Sequence, residues 1–381
     1  MKAIVVTDEA AGTAGMTLVE RPEPHAAEND VVVDVHASGF TPDELTWPST
    51  WTDRLGRDRT PSIPGHELAG VVSALGYGTT GLSAGQRVFG LTDWTRDGTL
   101  TEYAVVEARN LAPLPGDVDF TVGASLAMPG LTAWQGLFEH GRLQAGQSVL
   151  VHGAAGAVGS MVTQLAREVG AYVVGTGRAA DRQTALDFGA GVRRPRDDAL
   201  EDVGTVHLVF DAIGGDIGKR SAGLVRAGGT LVTVTGPAEA RPVDSLAIDF
   251  VVVSDRAQLS EVVRRVRDGR VRRNIGNVAT VRDAHAESPT AGRGSLSAST
   301  SRSSSVPRYR HGRSPQAVSL DPAPAITRSP ARLDASRECG FASFVPTIGK
   351  GHACNICSAS CAAAPSRRVC TGRSTTSSRQ P

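Results

Sequence analysis

Ser148-Val-Leu-Val-His152, Gly153-Ala-Ala-Gly156-Ala-Val-Gly159, an apolar-faced run closing near Gly170, and Ala171-Tyr-Val-Val-Gly-Thr-Gly177-Arg178 together decide the fold. The order reads as strand, glycine turn, helix, strand. Val158, Met161, Val162, Leu165, Ala166 and Val169 recur at helical spacing and predict one buried face. Such a unit offers a helix N-terminus whose backbone N–H groups and dipole can hold a pyrophosphate. The second strand ends in Gly177-Arg178, where a site for an unphosphorylated dinucleotide usually carries an acid for the ribose 2′-hydroxyl. A cation there suits a 2′-phosphate, so the motif points to NADPH.

Working outward, strands are expected at 148–152, 171–175, 206–210, 230–234 and 249–253, with helices between them. Short apolar strands alternating with amphipathic helices imply an α/β unit with a parallel sheet covered on both faces. Asp255-Arg-Ala-Gln258 has the spacing of a capping box and predicts a helix bearing Leu259, Val262, Val263 and Val266, stopped by Gly269. Upstream, Val122, Ser125, Leu126, Leu131, Trp134 and Leu137 suggest a connector helix broken at Pro129-Gly130. Residues 1–120 read instead as short strands, among them Val31–His36, Glu67–Ala74 and Gln86–Leu91, punctuated by Gly, Pro and Asp. That pattern predicts a small, twisted, partly open β-barrel.

Six motifs in register carry a family likeness: Pro64-Gly65-His66-Glu67-Leu-Ala-Gly70, Gly85-Gln-Arg-Val-Phe-Gly90, Gly130-Leu-Thr132-Ala-Trp134, Gly153 to Gly159, Phe210-Asp-Ala-Ile213-Gly-Gly215 and Gly228-Gly-Thr-Leu-Val232. On these the chain resembles the zinc-independent quinone oxidoreductase branch of the medium-chain dehydrogenase/reductase superfamily. The resemblance implies a GroES-like β domain over 1–121, a Rossmann NADPH-binding domain over 122–255, and a return segment over 256–285 heading back to the first domain. It also implies hydride transfer to a quinone or enone-type acceptor in the cleft between the domains. On that reading Ala155, Gly156, Ala157 and Val158 offer backbone contact to the pyrophosphate. Gly177 and Arg178 meet the 2′-phosphate end, with Arg182 in reserve. Thr132 lies near the nicotinamide ribose, Ile213 near a ribose or the adenine, and Thr41 beside the nicotinamide as the one catalytic candidate. Trp47, Trp51, Trp94 and Tyr103 are candidates for the acceptor pocket. Ser62 stands where the family often has an aromatic hydroxyl.

Zinc alcohol dehydrogenases share much of this pattern, and their catalytic metal needs a thiolate, a histidine and a third ligand. Alignment puts Thr41 at the thiolate position and Met128 near the third, so no metal site is expected. His66 then reads as a hydrogen-bonded histidine at a strand start, because no carboxylate partner is visible in the sequence. No acid/base pair stands out, which suits a reaction whose proton comes from solvent. An NADPH-binding protein of the same fold without turnover is the alternative.

Charge and cysteine separate the last quarter of the chain from the rest. Residues 286–381 carry 13 Lys+Arg against 4 Asp+Glu, whereas the first 285 carry 27 against 35. A net of −8 on the body gives no electrostatic reason to seek nucleic acid or an anionic membrane. The expected partners are a small electrophilic acceptor and, from the resemblance, a second copy in a homodimer. No apolar run approaches the ~20 residues that span a bilayer, and no signal peptide is visible, which suggests a cytoplasmic address.

All five cysteines lie at 339 and beyond, so the body has no disulfides and no thiolate chemistry. Residues 286–381 lose every hydrophobic period and are rich in Ser, Arg, Ala, Pro and Gly, which predicts a disordered, low-complexity tail. His352, Cys354, Cys357, Cys361 and Cys370 are too loosely spaced for a zinc module. Relatives continue after Val281-Arg-Asp-Ala284 with a helix and a closing strand. One codon choice for Ala286-Glu-Ser288, read one base on, gives the Leu-Asn-Pro common in relatives at that place. The tail thus reads as the product of a frameshift, with the final strand missing.

Overall fold

Asp30–Phe40 is the axis of the first half of the computed structural model, which describes residues 1–195, 200–280 and, as backbone, 296–299. The remaining positions, with nearly all of the 286–381 tail and its cysteines, lie outside the described residues. β1 (Lys2–Val5) and β2 (Thr17–Glu20) form an antiparallel ribbon. β3 (Asp30–Phe40) pairs antiparallel with β4 (Glu67–Leu75) along one edge and with β6 (Tyr103–Glu107) along part of the other. β4 pairs in turn with β5 (Arg87–Leu91), and β5 with β7 (Leu111–Pro113). Val31, Val33 and Val35 of β3 bury against Leu68, Val72, Val88, Ala104 and Val106, giving this half its own apolar centre.

The second half is the parallel sheet the glycine turn implies. Its strands are β8 (Ser148–His152), β9 (Tyr172–Gly177), β10 (Val192–Pro195), β11 (Val206–Asp211), β12 (Val225–Thr233) and β13 (Leu246–Asp249), in the spatial order β10-β9-β8-β11-β12-β13. Helix Ala157–Glu168 buries Met161, Val162, Leu165 and Ala166, as its spacing predicts. The order turns back on either side of β8, so the C-terminal ends of β8 and its neighbours open a crevice.

Four local expectations are corrected. The connector does not break at Pro129-Gly130: the interruption falls at Ser125-Leu126, between helices Phe120–Ala124 and Ala127–Trp134. Pro129 sits in the first turn of the second helix, where its missing N–H removes no helical bond. Gly130 is needed because a Cβ there would come within 2.8 Å of Val262 on helix Arg256–Arg267.

The last parallel strand lies at 246–249, not 249–253. The amide of Gln135 bonds both backbone groups of Val253 (2.8 and 3.1 Å) and takes that segment off the sheet. Asp255 caps its helix by accepting from Gln258 N (2.9 Å), but the Gln258 side chain turns to Gln135 and Glu139, so the box stays open.

The fourth correction concerns the closing strand. β14 (Val278–Thr280) and β15 (Leu296–Ser299) run parallel, and β15 pairs antiparallel with Ala37–Phe40 of β3. β6 leaves that stretch of β3 open, and backbone groups alone suffice to recruit a strand without a hydrophobic period.

Candidate active site

The glycine turn sets up one end of the site. Gly153 adopts φ +77°, which favours glycine, and a Cβ on Gly159 would overlap the Gly153 carbonyl, so both glycines are dictated by backbone approach. Gly156 is exposed at the N-cap of helix Ala157–Glu168, with Ala155, Ala157 and Val158 half-buried around it. Nδ2 of Asn274 donates to the carbonyls of Ala155 (2.9 Å) and Gly156 (3.2 Å), fastening the return segment to the turn. Sequence alone gives no local signal for this contact between residues more than a hundred positions apart.

At the end of β9, Gly177 is half-buried and the Arg178 side chain is 49% exposed. Arg178 forms a two-pronged ion pair with Asp181 (2.7 and 2.9 Å), and Arg182 points to solvent. Ile213 packs over the turn, where a Cβ on Gly153 would come within 3.0 Å of it. It also lines a cavity of about 140 Å³ with Asp211, Gly214, Thr233, Thr235 and Glu239. Asp211 receives the N–H groups of Ile213 and Gly214 (2.9 and 3.0 Å), which shapes the loop after β11.

Beneath the turn, His152 is fully buried, with Nδ1 on Thr176 Oγ1 (2.7 Å) and Nε2 on Ser221 Oγ (2.6 Å). Burial pushes its pKa down to about 4, against a smaller opposing pull from Asp211, so it is neutral at pH 7.

The other end is built around His66. Its Nδ1 lies 2.6 Å from Glu44 Oε2, and both side chains are buried (3% and 0% exposed). The other Glu44 oxygen accepts the backbone N–H of Thr41 at 3.0 Å. This corrects the expectation that His66 lacks a carboxylate partner. Thr41-Pro-Asp-Glu44 has capping-box spacing, a signal that could have folded Glu44 back to this place.

Trp47 and Trp94, both half-buried, pack on the imidazole with ring centroids 5.6 and 4.8 Å from it, and meet each other edge-on at 5.5 Å. Trp51 instead donates to Leu45 O (2.8 Å) and joins the Ile4–Phe40 core, and Tyr103 lies opposite Asp34 on β6. Two of the four aromatic candidates thus meet and two do not. Ser62 is buried and bonded to Thr50 O (2.7 Å).

Next to His66, Glu67 accepts Met128 N at 2.8 Å. Burial, reinforced by the charge of Glu44, raises its pKa to about 8 in spite of that bond, so its carboxyl is neutral at pH 7. Thr132, buried one turn beyond Met128 on helix Ala127–Trp134, belongs to the same wall. The three positions a catalytic zinc would use hold the Thr41 hydroxyl, a His66 imidazole engaged with Glu44, and the Met128 thioether. That donor set does not suit zinc. Among the described residues no group of three or more His, Cys, Asp or Glu could hold a metal ion.

Two family models match the halves just described: alcohol dehydrogenase GroES-like domain over 27–116 and zinc-binding dehydrogenase over 157–264. Over 244 residues the chain is 31% identical to a mouse quinone oxidoreductase, covering 60% of this chain and 72% of that protein. This chain belongs to the quinone oxidoreductase branch of the medium-chain dehydrogenase/reductase superfamily. A rat quinone oxidoreductase is 37% identical over 174 residues, 45% of this chain, and that match spans only half of the rat protein's length. A quinone oxidoreductase structure from Coxiella burnetii superposes with a TM-score of 0.72 at 23% identity, over 79% of this chain and 99% of that one. The fold is therefore the GroES-like plus Rossmann arrangement implied by the six motifs.

Proposed function

We propose that this member of the branch is an NADPH-dependent oxidoreductase that passes hydride to a quinone or enone-type acceptor without zinc. The observation that carries the reading is Arg178 at the end of β9, two residues after Thr176, whose carbonyl accepts from Gly153 and Ala154 of the glycine turn. A reduced nicotinamide bound in this fold supplies the hydride. The chain's own part is binding and orientation. Backbone groups of Ala155, Gly156, Ala157 and Val158 hold the pyrophosphate, Gly177 leaves room at the ribose, and Arg178 meets the 2′-phosphate. Thr132, Ile213 and Thr41 border the rest of the cofactor. Trp47 and Trp94 form apolar walls for a flat acceptor.

The unsuitable donor set at Thr41, His66 and Met128 supports chemistry without a metal. On the same reading residues 1–121 shape the acceptor side, 122–255 bind the nucleotide, and 256–285 return to the first half. A homodimer is supported by edge strand β13, where Leu246 is 61% exposed and the nearby Val243 81%. Among the described residues no helix is long and apolar enough to cross a membrane, and we place the protein in the cytoplasm, with no specific nucleic-acid partner.

Oxidation of NADPH and NADH with a panel of quinones and enones, with and without a chelator, tests the reading. NADPH should be favoured and the chelator should change nothing. A preference for NADH, or activity that appears only with added zinc, would overturn it.

A further inference from the structure

We infer that His66, held by Glu44, is the proton donor to the reduced acceptor; this rests on the oxidoreductase reading above. His66 is 2% exposed, and its Nδ1 is committed to Glu44. Its Nε2 bonds no described residue. Among the described residues the fully buried side-chain nitrogens and oxygens without a partner are those of Arg59, Arg87, Thr92 and Thr163, and His66 Nε2 is not one of them, which leaves it in contact with accessible space.

Trp47 and Trp94 cluster with the imidazole, and the adjacent Glu67 reaches Met128 N on the helix carrying Thr132. His66 Nε2 therefore lies among the aromatic side chains that the proposed function gives to the acceptor. The Glu44 carboxylate, with one oxygen fixed by Thr41 N and the other by His66, orients the ring.

Hydride arrival at an enone β-carbon forms a C–H bond and drives the π electrons onto the carbonyl oxygen. The Nε2–H bond of imidazolium His66 then breaks as an O–H bond forms at that oxygen. A quinone receives its proton at the hydroquinone oxygen in the same way. His66 is left neutral, keeping its Nδ1 proton in the hydrogen bond to Glu44, and solvent restores the Nε2 proton. His66 is the catalytic group; Glu44 is a positioning residue.

The test compares wild-type, His66→Gln and Glu44→Gln proteins across acceptors graded by the basicity of their reduced anions. A general acid matters most where that anion is most basic. With an enone, His66→Gln should lose about 100-fold or more in kcat, and with an electron-poor tetrahalogenated quinone less than about tenfold. Glu44→Gln should show the same gradient, shallower, with KM little changed.

A second readout needs no turnover. 4-Nitrophenolate titrated into protein saturated with NADP⁺ should bind with a shifted absorbance in the wild type and lose that shift in His66→Gln. Equal losses on every acceptor, no loss, or an unchanged phenolate shift in His66→Gln would each overturn the assignment. Wild-type protein that leaves NADPH unoxidised with all acceptors overturns the oxidoreductase reading as well, so the two failures are told apart.

Discussion

The guanidinium of Arg178 grips the carboxylate of Asp181 through two bonds, Nε to Oδ2 at 2.7 Å and Nη2 to Oδ1 at 2.9 Å. A 2′-phosphate arriving at Arg178 must share that cation with Asp181. Arg178→Ala is expected to weaken NADPH binding by about ten- to a hundredfold, the range of a charge-assisted pair, and to leave NADH untouched. Asp181→Asn should act in the opposite sense and tighten NADPH severalfold. Fluorescence titration of both cofactors with both variants checks the pair. An unchanged NADPH-to-NADH ratio in Arg178→Ala would remove Arg178 from the site.

Asn274 predicts a different signature. Its Nδ2 fastens the carbonyls of Ala155 and Gly156, so it holds the turn without selecting a cofactor. Asn274→Ala should weaken NADPH and NADH alike by roughly five- to tenfold, about one hydrogen bond's worth. A selective effect on either cofactor in the same titration would contradict this role.

His152 makes stability acid-sensitive. Its folded pKa of about 4 lies below the ordinary 6.5, so between those values the unfolded chain takes up a proton that the native chain refuses. This group's contribution is intact above about pH 6.5 and is lost as pH falls toward 4, amounting to on the order of 3 kcal/mol. His152→Asn, which keeps a polar group between Thr176 and Ser221, should flatten the decline between pH 6.5 and 4. Urea denaturation at several pH values measures it.

Glu67 acts on the other limb. Its carboxyl is raised from 4.5 to about 8, so between those values the native state holds a proton that the unfolded chain has released. Its contribution is largest below about pH 4.5 and declines as pH rises to 8. Glu67→Gln should still accept from Met128 N and should gain stability over wild type progressively from pH 5 to 8, then level off. Thermal melts across that range decide; a constant difference would mean that Glu67 does not titrate there.

The parallel-sheet half was legible because its determinants are local. The spacing of Met161, Val162, Leu165 and Ala166 fixes a helix face, and Gly153 and Gly159 fix a turn that tolerates no side chain. The surroundings of His66 were legible only where side chains are neighbours in sequence. Thr41 and His66 could be singled out, but the Glu44–His66 contact joins residues 22 positions apart on separate elements. Trp47 and Trp94 meet for the same reason, while Trp51, only four residues from Trp47, turns into another core. Strand positions erred where a distant side chain intervenes, as when Gln135 captures Val253 and ends the last parallel strand early.

The Asn274 clasp also sets where damage to this chain can be borne. Whatever is altered or scrambled downstream of residue 280 leaves the fastening of the glycine turn untouched, because its anchor has already been translated. A lesion only a few codons earlier would unpick the turn along with everything after it. On the proposed function, cofactor retention and acceptor turnover are therefore vulnerable to C-terminal lesions at different points, and the first should outlast the second.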